Sequence, residues 1–262
     1  MTNLWNSADA YELYMGRWSR GIARQFVAWV NTGAGASWLD VGCGTGELTR
    51  SILQNAEPSK VVGVEPSRPF VEGAEARTAD SRARFEVGDA QSLPDHLREF
   101  DTVVSGLVLN FIPDRQAALD GMLKAVRKDG TVAAYVWDYA DGMAFIRYFW
   151  DAAIELDPAA SAADESTFGP ICTADGLEAF FVTKLRNVEV TELVVPTVFS
   201  SFDDYWRPFL GGVGTAPAFA MSLAEPQRDA LRERLHERLP VEADGSIRLT
   251  ARAWAAKGIR HP

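Results

Sequence analysis

The chain has 262 residues, 47% of them hydrophobic, which is enough for one sizeable core and a small additional subdomain. Its 36 acidic and 26 basic side chains give a formal charge of −10, which argues against nucleic acid as a partner. Its two cysteines, Cys43 and Cys172, give no disulfide or metal-ligand spacing, and no apolar run approaches the length of a membrane span. We therefore expect a cytoplasmic protein with no metal and no membrane partner.

The chain begins with a helical segment, predicted over residues 1–36. Residues 22–30 have the apolar spacing of an amphipathic helix. The stretch before them, residues 11–19, is rich in aromatic side chains and carries one arginine at position 17. This segment precedes the first predicted strand, residues 37–41.

Residues 38–46, Trp-Leu-Asp-Val-Gly-Cys-Gly-Thr-Gly, form the most informative motif of the chain. A strand that turns through glycines into a helix brings backbone N–H groups close to a nucleotide-like ligand. Asp40 at the strand tip would repel a pyrophosphate but attract the cationic amine of a methionine moiety. The third glycine of the dinucleotide pattern is missing, because Glu47 and Thr49 occupy its places. The motif therefore favours S-adenosylmethionine over NAD.

Two further acids end the next two predicted strands. Glu65 closes the strand over residues 60–65, about 20 residues after the glycine loop, the offset at which a carboxylate binds a ribose diol. Asp89 follows the strand over residues 83–88, where a carboxylate can accept the adenine amino hydrogens. Each acid alone is typical of a helix cap or a solvated loop, but three in this order indicate a cofactor site.

The rest of the pattern predicts an α/β fold. Apolar strands alternate with helices, which indicates a parallel sheet covered on both faces. Residues 188–194 and 246–255 alternate between apolar and polar side chains, which predicts an antiparallel pair at the sheet edge. Further strands are expected at 101–106 and 130–137, and helices at 46–54, 68–78 and 115–127.

The order of these motifs resembles the class I S-adenosylmethionine-dependent methyltransferases, in particular their small-molecule branch. The resemblance is strong over residues 37–138. It implies a Rossmann-like, doubly wound sheet of seven strands, mostly parallel with an antiparallel last strand, and a helical lid. It divides the chain into a lid at 1–36, a cofactor-binding core at 37–195, a helical insertion over the substrate at 196–245, and the last strand with the carboxyl terminus at 246–262.

The resemblance also implies which side chains hold S-adenosylmethionine. Asp40 and the glycine loop would hold the methionine end, Glu65 the ribose hydroxyls and residues 89–91 the adenine. In similar methyltransferases the amino-terminal segment folds over the cofactor, so that Arg17 would pair with the methionine carboxylate; helix packing with a surface arginine is the alternative. The expected cofactor residues are Tyr14, Arg17, Asp40, Gly42, Cys43, Gly44, Gly46, Glu65, Pro66, Asp89, Ala90, Gln91, Ser105, Gly106 and Leu107.

The insertion over residues 196–245 is rich in aromatic side chains. Those at positions 202, 205, 206 and 209 recur at spacings of three and four, which is typical of the buried face of a helix. Long insertions are commonly functional, and part of such a face can contact a substrate. We keep both interpretations and expect the acceptor residues to be Trp18, Asn110, Trp137, Tyr205 and Trp206.

The sequence assigns no catalytic base. Methyl transfer from a sulfonium is an in-line displacement in which positioning and exclusion of water supply much of the rate, so a base is needed only for an acceptor that holds its proton. Asn110 stands where related enzymes often carry a histidine, which leaves Asp138, Tyr139 or Asp141 as alternatives.

These patterns predict an S-adenosylmethionine-dependent methyltransferase that acts, as a monomer or homodimer, on a small, partly aromatic or apolar acceptor. Two rivals stay open. An NAD-linked oxidoreductase would need the dinucleotide glycine spacing, which this chain lacks. A non-catalytic module that binds S-adenosylmethionine or S-adenosylhomocysteine would explain the missing base.

Overall fold

A computed structural model describes residues 12–212 and 214–262. Residues 1–11 of the predicted lid and Val213 of the predicted insertion lie outside the described residues. The chain forms two compact units. We call residues 19–136, 170–193 and 253–262 the sheet unit, and residues 12–18, 137–169 and 194–252 the helical unit.

Seven strands form one sheet, in the order β3-β2-β1-β4-β5-β7-β6. The first five pair in parallel, and the sheet ends in antiparallel strands, which confirms the predicted fold class. Strand β1 is buried along its whole length, as a parallel strand covered on both faces must be. The strands are β1 Ser37–Val41, β2 Lys60–Glu65, β3 Ala83–Val87, β4 Phe100–Gly106, β5 Val126–Trp137, β6 Leu185–Phe199 and β7 Ile247–Arg260.

Four helices begin within the sheet unit, and a fifth, α1, ends in it. Asp114 caps α4 by accepting the backbone N–H of Ala117 at 2.9 Å, which fixes where this helix begins. The predicted end of α4 at residue 127 is wrong, because Val126 already pairs with Phe100 in the sheet. These helices are α1 Arg17–Val30, α2 Glu47–Asn55, α3 Arg68–Arg77, α4 Arg115–Ala125 and α6 Ala174–Val182.

Aromatic side chains build the core of the helical unit. Phe149 stacks on Phe209 with ring centroids 4.5 Å apart, and the buried Tyr205 hydroxyl donates to the carbonyl of Phe145 at 2.7 Å. The aromatic face of the insertion is buried here, as the packing interpretation expects. The helices of this unit are α5 Ala144–Leu156, α7 Phe202–Trp206, α8 Thr215–Ser222 and α9 Glu225–Arg238. Across the described part of the chain, no helix is both long enough and apolar enough to cross a bilayer.

Candidate functional site

The glycine loop joins β1 to α2 and keeps an opening at its middle. Gly42, Gly44 and Gly46 all have positive φ angles, of 76°, 53° and 82°. A Cβ atom on Gly42 would lie 2.7 Å from the side chain of Val108, and one on Gly46 would lie 3.2 Å from Ala74. A Cβ atom on Gly44 would meet nothing within 4 Å. The two outer glycines therefore serve packing within the protein, whereas Gly44 exposes its backbone to open space.

Glu65 connects the tip of β2 to this loop. Its Oε2 accepts the backbone N–H of Gly44 at 3.1 Å, and its Oε1 accepts the N–H of Ser67 at the same distance. Burial raises the pKa of Glu65, and these two N–H donors partly offset that shift. An ionised carboxylate has about four acceptor positions, so the fixed side chain keeps positions for further hydroxyl donors. Pro66, next in the chain, is exposed.

Asp40 is fully buried at the end of β1 and only half satisfied. Its Oδ2 accepts the hydroxyl of Thr49 at 2.7 Å, whereas its Oδ1 has no hydrogen-bond partner. Burial raises the pKa of Asp40 to about 7, and the negative charge of Glu65 acts in the same direction. Burial also raises the pKa of the neighbouring Cys43 thiol. A cation beside Asp40 would restore its charged form.

The predicted adenine loop is tied to α4. Asp89 accepts the backbone N–H of Gln91 at 2.9 Å and so caps the short 3₁₀ turn Ala90–Ser92. The Gln91 side chain accepts the backbone N–H of Asp114, the α4 cap, at 3.0 Å. The Gln91 amide also donates to both Asp89 oxygens at 3.3 Å. These bonds hold the loop in one shape, and the role of the loop toward adenine stays a prediction.

The segment after β4 combines unusual backbone with unpartnered polar atoms. Leu107 has a φ of 61°, and its N–H donates to the carbonyl of Tyr135 at 2.8 Å. The preceding Gly106 gives room to the Tyr135 ring, which a Cβ atom would approach to 2.7 Å. The buried hydroxyl of Ser105 and both amide atoms of the buried Asn110 have no partner. Such groups are rare in protein interiors, and each requires an explanation.

The other predicted side chains lie in the helical unit. Arg17 pairs with Asp204 at 3.0 Å and lies over the ring of Trp18, 4.3 Å from its centroid. Arg17 therefore already has a carboxylate partner, and its pairing with the methionine carboxylate stays a prediction. The Tyr14 hydroxyl and the Trp18 indole N–H are buried without partners, whereas the Tyr205 hydroxyl is bonded. Trp206 is buried.

Of the base alternatives beyond β5, Asp138 is engaged by other groups of the protein. Trp137 is buried at the end of β5, and the next residue, Asp138, forms an ion pair with Arg252 at 2.6 Å. Asp138 also accepts the backbone N–H of Asp141 at 3.2 Å. The Asp138 carboxylate is therefore occupied by the guanidinium of Arg252 and by a backbone N–H group. No side chain among Asn110, Asp138, Tyr139 and Asp141 is assigned as the catalytic base.

The sheet unit fits S-adenosylmethionine in three respects. Gly44 leaves backbone open to a ligand, Glu65 keeps acceptor positions for ribose hydroxyls, and the unpartnered Asp40 oxygen suits an ammonium group. Among the described residues, no group of three or more His, Cys, Asp or Glu side chains could hold a metal ion. The arrangement is suited to binding a cationic nucleoside.

Thr49 and Arg115 help to shape this site and were not among the predicted site residues. Thr49 bonds to Asp40, Val108 packs beside Gly42, and Arg115 binds the carbonyls of Leu109 and Asn110. The signal for Thr49 was available, because a hydroxyl on the first turn of a helix after a glycine loop faces the strand tip. The contacts of Val108 and Arg115 depend on tertiary packing and have no local sequence signature.

Part of the chain is similar in sequence to known methyltransferases. Residues 39–130 match the family model described as a methyltransferase domain. Among curated relatives, the demethylmenaquinone methyltransferase of Roseiflexus castenholzii is 35% identical over 95 residues, which are 36% of this chain and 40% of that protein. The trans-aconitate 2-methyltransferase of Deinococcus radiodurans is 33% identical over 101 residues, 38% of each chain. This chain thus spans about two fifths of the length of the curated relatives.

A solved structure extends the likeness to the whole fold. The YcgJ protein from Bacillus subtilis superposes with a TM-score of 0.58 at 17% identity, covering 94% of this chain and 99% of that one. At this identity the superposition shows a shared fold. The family-model match covers residues 39–130, which contain the glycine loop, Glu65 and Asp89.

Proposed function

We propose that this chain, whose residues 39–130 belong to the S-adenosylmethionine-dependent methyltransferases, transfers a methyl group to a small organic acceptor. The match to a methyltransferase domain over residues 39–130 supports this proposal. The proposal concerns the activity of the whole chain, the class of its acceptor and the residues that bind each.

The observation that carries the proposal is the bond between Glu65 and the glycine loop. It sets the ends of β1 and β2 in one fixed arrangement, with a carboxylate ready for hydroxyl donors and an open glycine beside it. Charge-assisted hydrogen bonds of this kind contribute about 1.5–3 kcal/mol each. Asp40 supplies a second fixed carboxylate whose free oxygen suits the amine of a methionine moiety.

When bound, S-adenosylmethionine supplies an activated methyl group on a positively charged sulfur. The protein would bind the cofactor and the acceptor, orient them toward each other and exclude water from between them. In our proposal Asp40 holds the methionine end of the cofactor, Glu65 the ribose and the 89–91 loop the adenine, and the segment from Ser105 to Asn110 lies near the sulfonium and the acceptor. Positioning of this kind accounts for much of the rate of such displacements.

A small acceptor is supported by charge and by the relatives. The net charge of −10 disfavours nucleic acid as the substrate, and two relatives are named for the methylation of demethylmenaquinone and trans-aconitate, both small molecules. The acidic surface and the relatives agree on the size class of the acceptor.

Calorimetric titration tests the proposal. S-adenosylmethionine and S-adenosylhomocysteine should bind with one site per chain, and NAD should not bind. A preference for NAD, or no affinity for either S-adenosyl compound, would contradict it. Binding of both compounds without methyl transfer to any of a broad set of small acceptors would favour the non-catalytic module, which the unassigned base supports.

A further inference from the structure

Asn110 is a buried amide that the protein does not satisfy. It lies at the centre of the 3₁₀ turn Leu109–Phe111, directly after β4, and only 8% of its surface is exposed. Neither its Oδ1 nor its Nδ2 has a hydrogen-bond partner. A buried amide normally finds partners for both groups, because an unpaired donor or acceptor costs free energy. A leucine of similar size would avoid this cost.

The backbone around Asn110 is held firmly. Arg115 donates to the carbonyl of Leu109 at 2.9 Å and to the carbonyl of Asn110 at 3.2 Å. Leu107 keeps its left-handed conformation through its bond to Tyr135, and the 3₁₀ turn packs against the turn Pro170–Cys172. The position of the amide is therefore fixed by its surroundings, and fixed, strained backbone of this kind is concentrated at functional sites.

The chemistry of the free amide defines what it can bind. Its Nδ2 offers two donors and its Oδ1 accepts, so a single planar partner with an acceptor beside a donor would satisfy both groups. A carboxylate offers acceptors only, and an ammonium group offers donors only. Asn110 cannot take up a proton near neutral pH, so its contribution would be orientation.

We propose that Asn110 is the specificity-determining residue for the methyl acceptor, and that this acceptor presents a hydrogen-bond donor and acceptor side by side, as a carboxamide or lactam does. This inference rests on the proposed function, because it assumes an acceptor beside the cofactor. The Asn110 amide forms hydrogen bonds with this donor and this acceptor group and so holds the methyl acceptor in one orientation.

Three probes that share a benzene ring test the proposal. Benzamide offers a donor and an acceptor, benzoate acceptors only, and benzylamine donors only. We expect the protein, saturated with S-adenosylhomocysteine, to bind benzamide at least tenfold more tightly than the other two. Asn110→Leu should remove this preference, and Asn110→Asp should shift it toward benzylamine, because the new side chain only accepts and is negatively charged.

A stability measurement separates recognition from a structural role. Without ligand, Asn110→Leu should melt at the same temperature as the wild type or higher, since it removes two unpaired buried polar atoms. The matched control is Asn55→Leu at the exposed end of α2, which should keep the probe preference. Equal affinity for the three probes, no binding of benzamide, or a melting temperature lowered by several degrees in Asn110→Leu would each overturn the inference. Failure of the wild type to bind S-adenosylhomocysteine would instead contradict the proposed function.

Discussion

The sheet unit and the helical unit each contain a buried carboxyl group whose pKa burial raises to about 7, Asp40 in the first and Glu165 in the second. Glu165 is satisfied by its own unit, because it accepts the indole N–H of Trp150 and the backbone N–H of Ala216. Asp40 has one oxygen bonded to Thr49 and one without a partner. The two carboxyl groups are thus equally buried, but Glu165 has no oxygen left without a partner, whereas Asp40 has one.

The number of hydrogen-bond partners distinguishes a buried carboxyl group with a structural role from one that can bind a ligand. A buried carboxyl with all its partners stabilises one packing arrangement, and its replacement disturbs folding. A buried carboxyl with an unused oxygen weakens the ligand-free protein and regains that free energy when a cation binds. We therefore expect substitutions in the glycine loop region to act on ligand binding and those around Glu165 to act on stability.

The largest expected effect follows from Gly44→Val. The new side chain would occupy the open space beside the loop, so affinity for S-adenosylhomocysteine should fall at least a hundredfold in calorimetry while the circular-dichroism spectrum shows a folded protein. Gly245→Val is the matched control, because Gly245 also has a positive φ, 82°, and open space around it. It shares the backbone strain and should keep the affinity. Equal affinity in both variants would show that the ligand lies elsewhere.

The next effect concerns Glu65→Ala. Loss of the ribose contacts and of the bond to Gly44 should weaken S-adenosylmethionine binding at least tenfold, since each charge-assisted bond contributes about 1.5–3 kcal/mol. Glu75→Ala, an exposed glutamate on α3, removes the same side chain and should leave the affinity unchanged. An unaltered dissociation constant in Glu65→Ala would refute the assignment of this residue to the ribose.

The dependence of stability on pH compares the two carboxyl groups directly. The pKa of Asp40 is about 7 in the folded protein, against an ordinary value of 3.8, so the folded state holds the proton more tightly. Protonated Asp40 makes its full contribution to the free energy of unfolding below about pH 4. This contribution is lost as the pH rises through 7, and the loss is about 4 kcal/mol. Glu165 has the same sign, because its pKa is raised from 4.5 to about 7.

Urea unfolding of Asp40→Asn and Glu165→Gln between pH 4 and 8 measures both contributions. Each variant should lose part of the fall in stability with pH. Saturation of the wild type with S-adenosylhomocysteine should remove the part of the pH dependence of stability that comes from Asp40 and leave the part from Glu165. The reason is that the ammonium group of the ligand favours the charged form of the Asp40 carboxylate. A ligand effect that persists unchanged in Asp40→Asn would show that the amine lies away from this residue.

The smallest effect is expected from Tyr205→Phe in the helical unit. The variant loses the hydrogen bond to the Phe145 carbonyl, which should lower the free energy of unfolding by about 1 kcal/mol. Affinity for S-adenosylhomocysteine should not change. Tyr148→Phe, on a partly exposed position of α5, serves as the control and should cost less stability. A loss of cofactor affinity in Tyr205→Phe would contradict the expectation that substitutions in the helical unit change stability and not cofactor binding.

The sequence was most informative where local pattern and burial agree. The β1 and β2 boundaries were predicted to the residue, because continuous apolar runs bounded by acids and glycines leave few alternatives. Helix α5 has buried residues at ordinary helical spacing and could have been assigned. The end of α4 could not, because the pairing of Val126 with β4 decides it, and tertiary contacts of this kind override local propensity.

Some features of the candidate site could likewise be predicted from the sequence, and others could not. Asp40, Glu65 and Asp89 stand at strand tips, and the order of the strands in a parallel sheet brings such tips together, so their type and spacing were enough to select them. No sequence pattern predicts that Asp40 and Asn110 keep unpartnered atoms, because this depends on where every neighbouring donor and acceptor lies. The unpaired atoms are the information that only the three-dimensional structure provides.

The bond between Glu65 and Gly44 also bears on how fast a ligand is captured. The loop that would receive the ligand is already fixed by this bond in the free protein, so little chain entropy is lost on binding. A preformed site of this kind needs no slow ordering step between encounter and capture. Stopped-flow traces of cofactor binding should then show one phase whose rate rises linearly with ligand concentration, with no plateau.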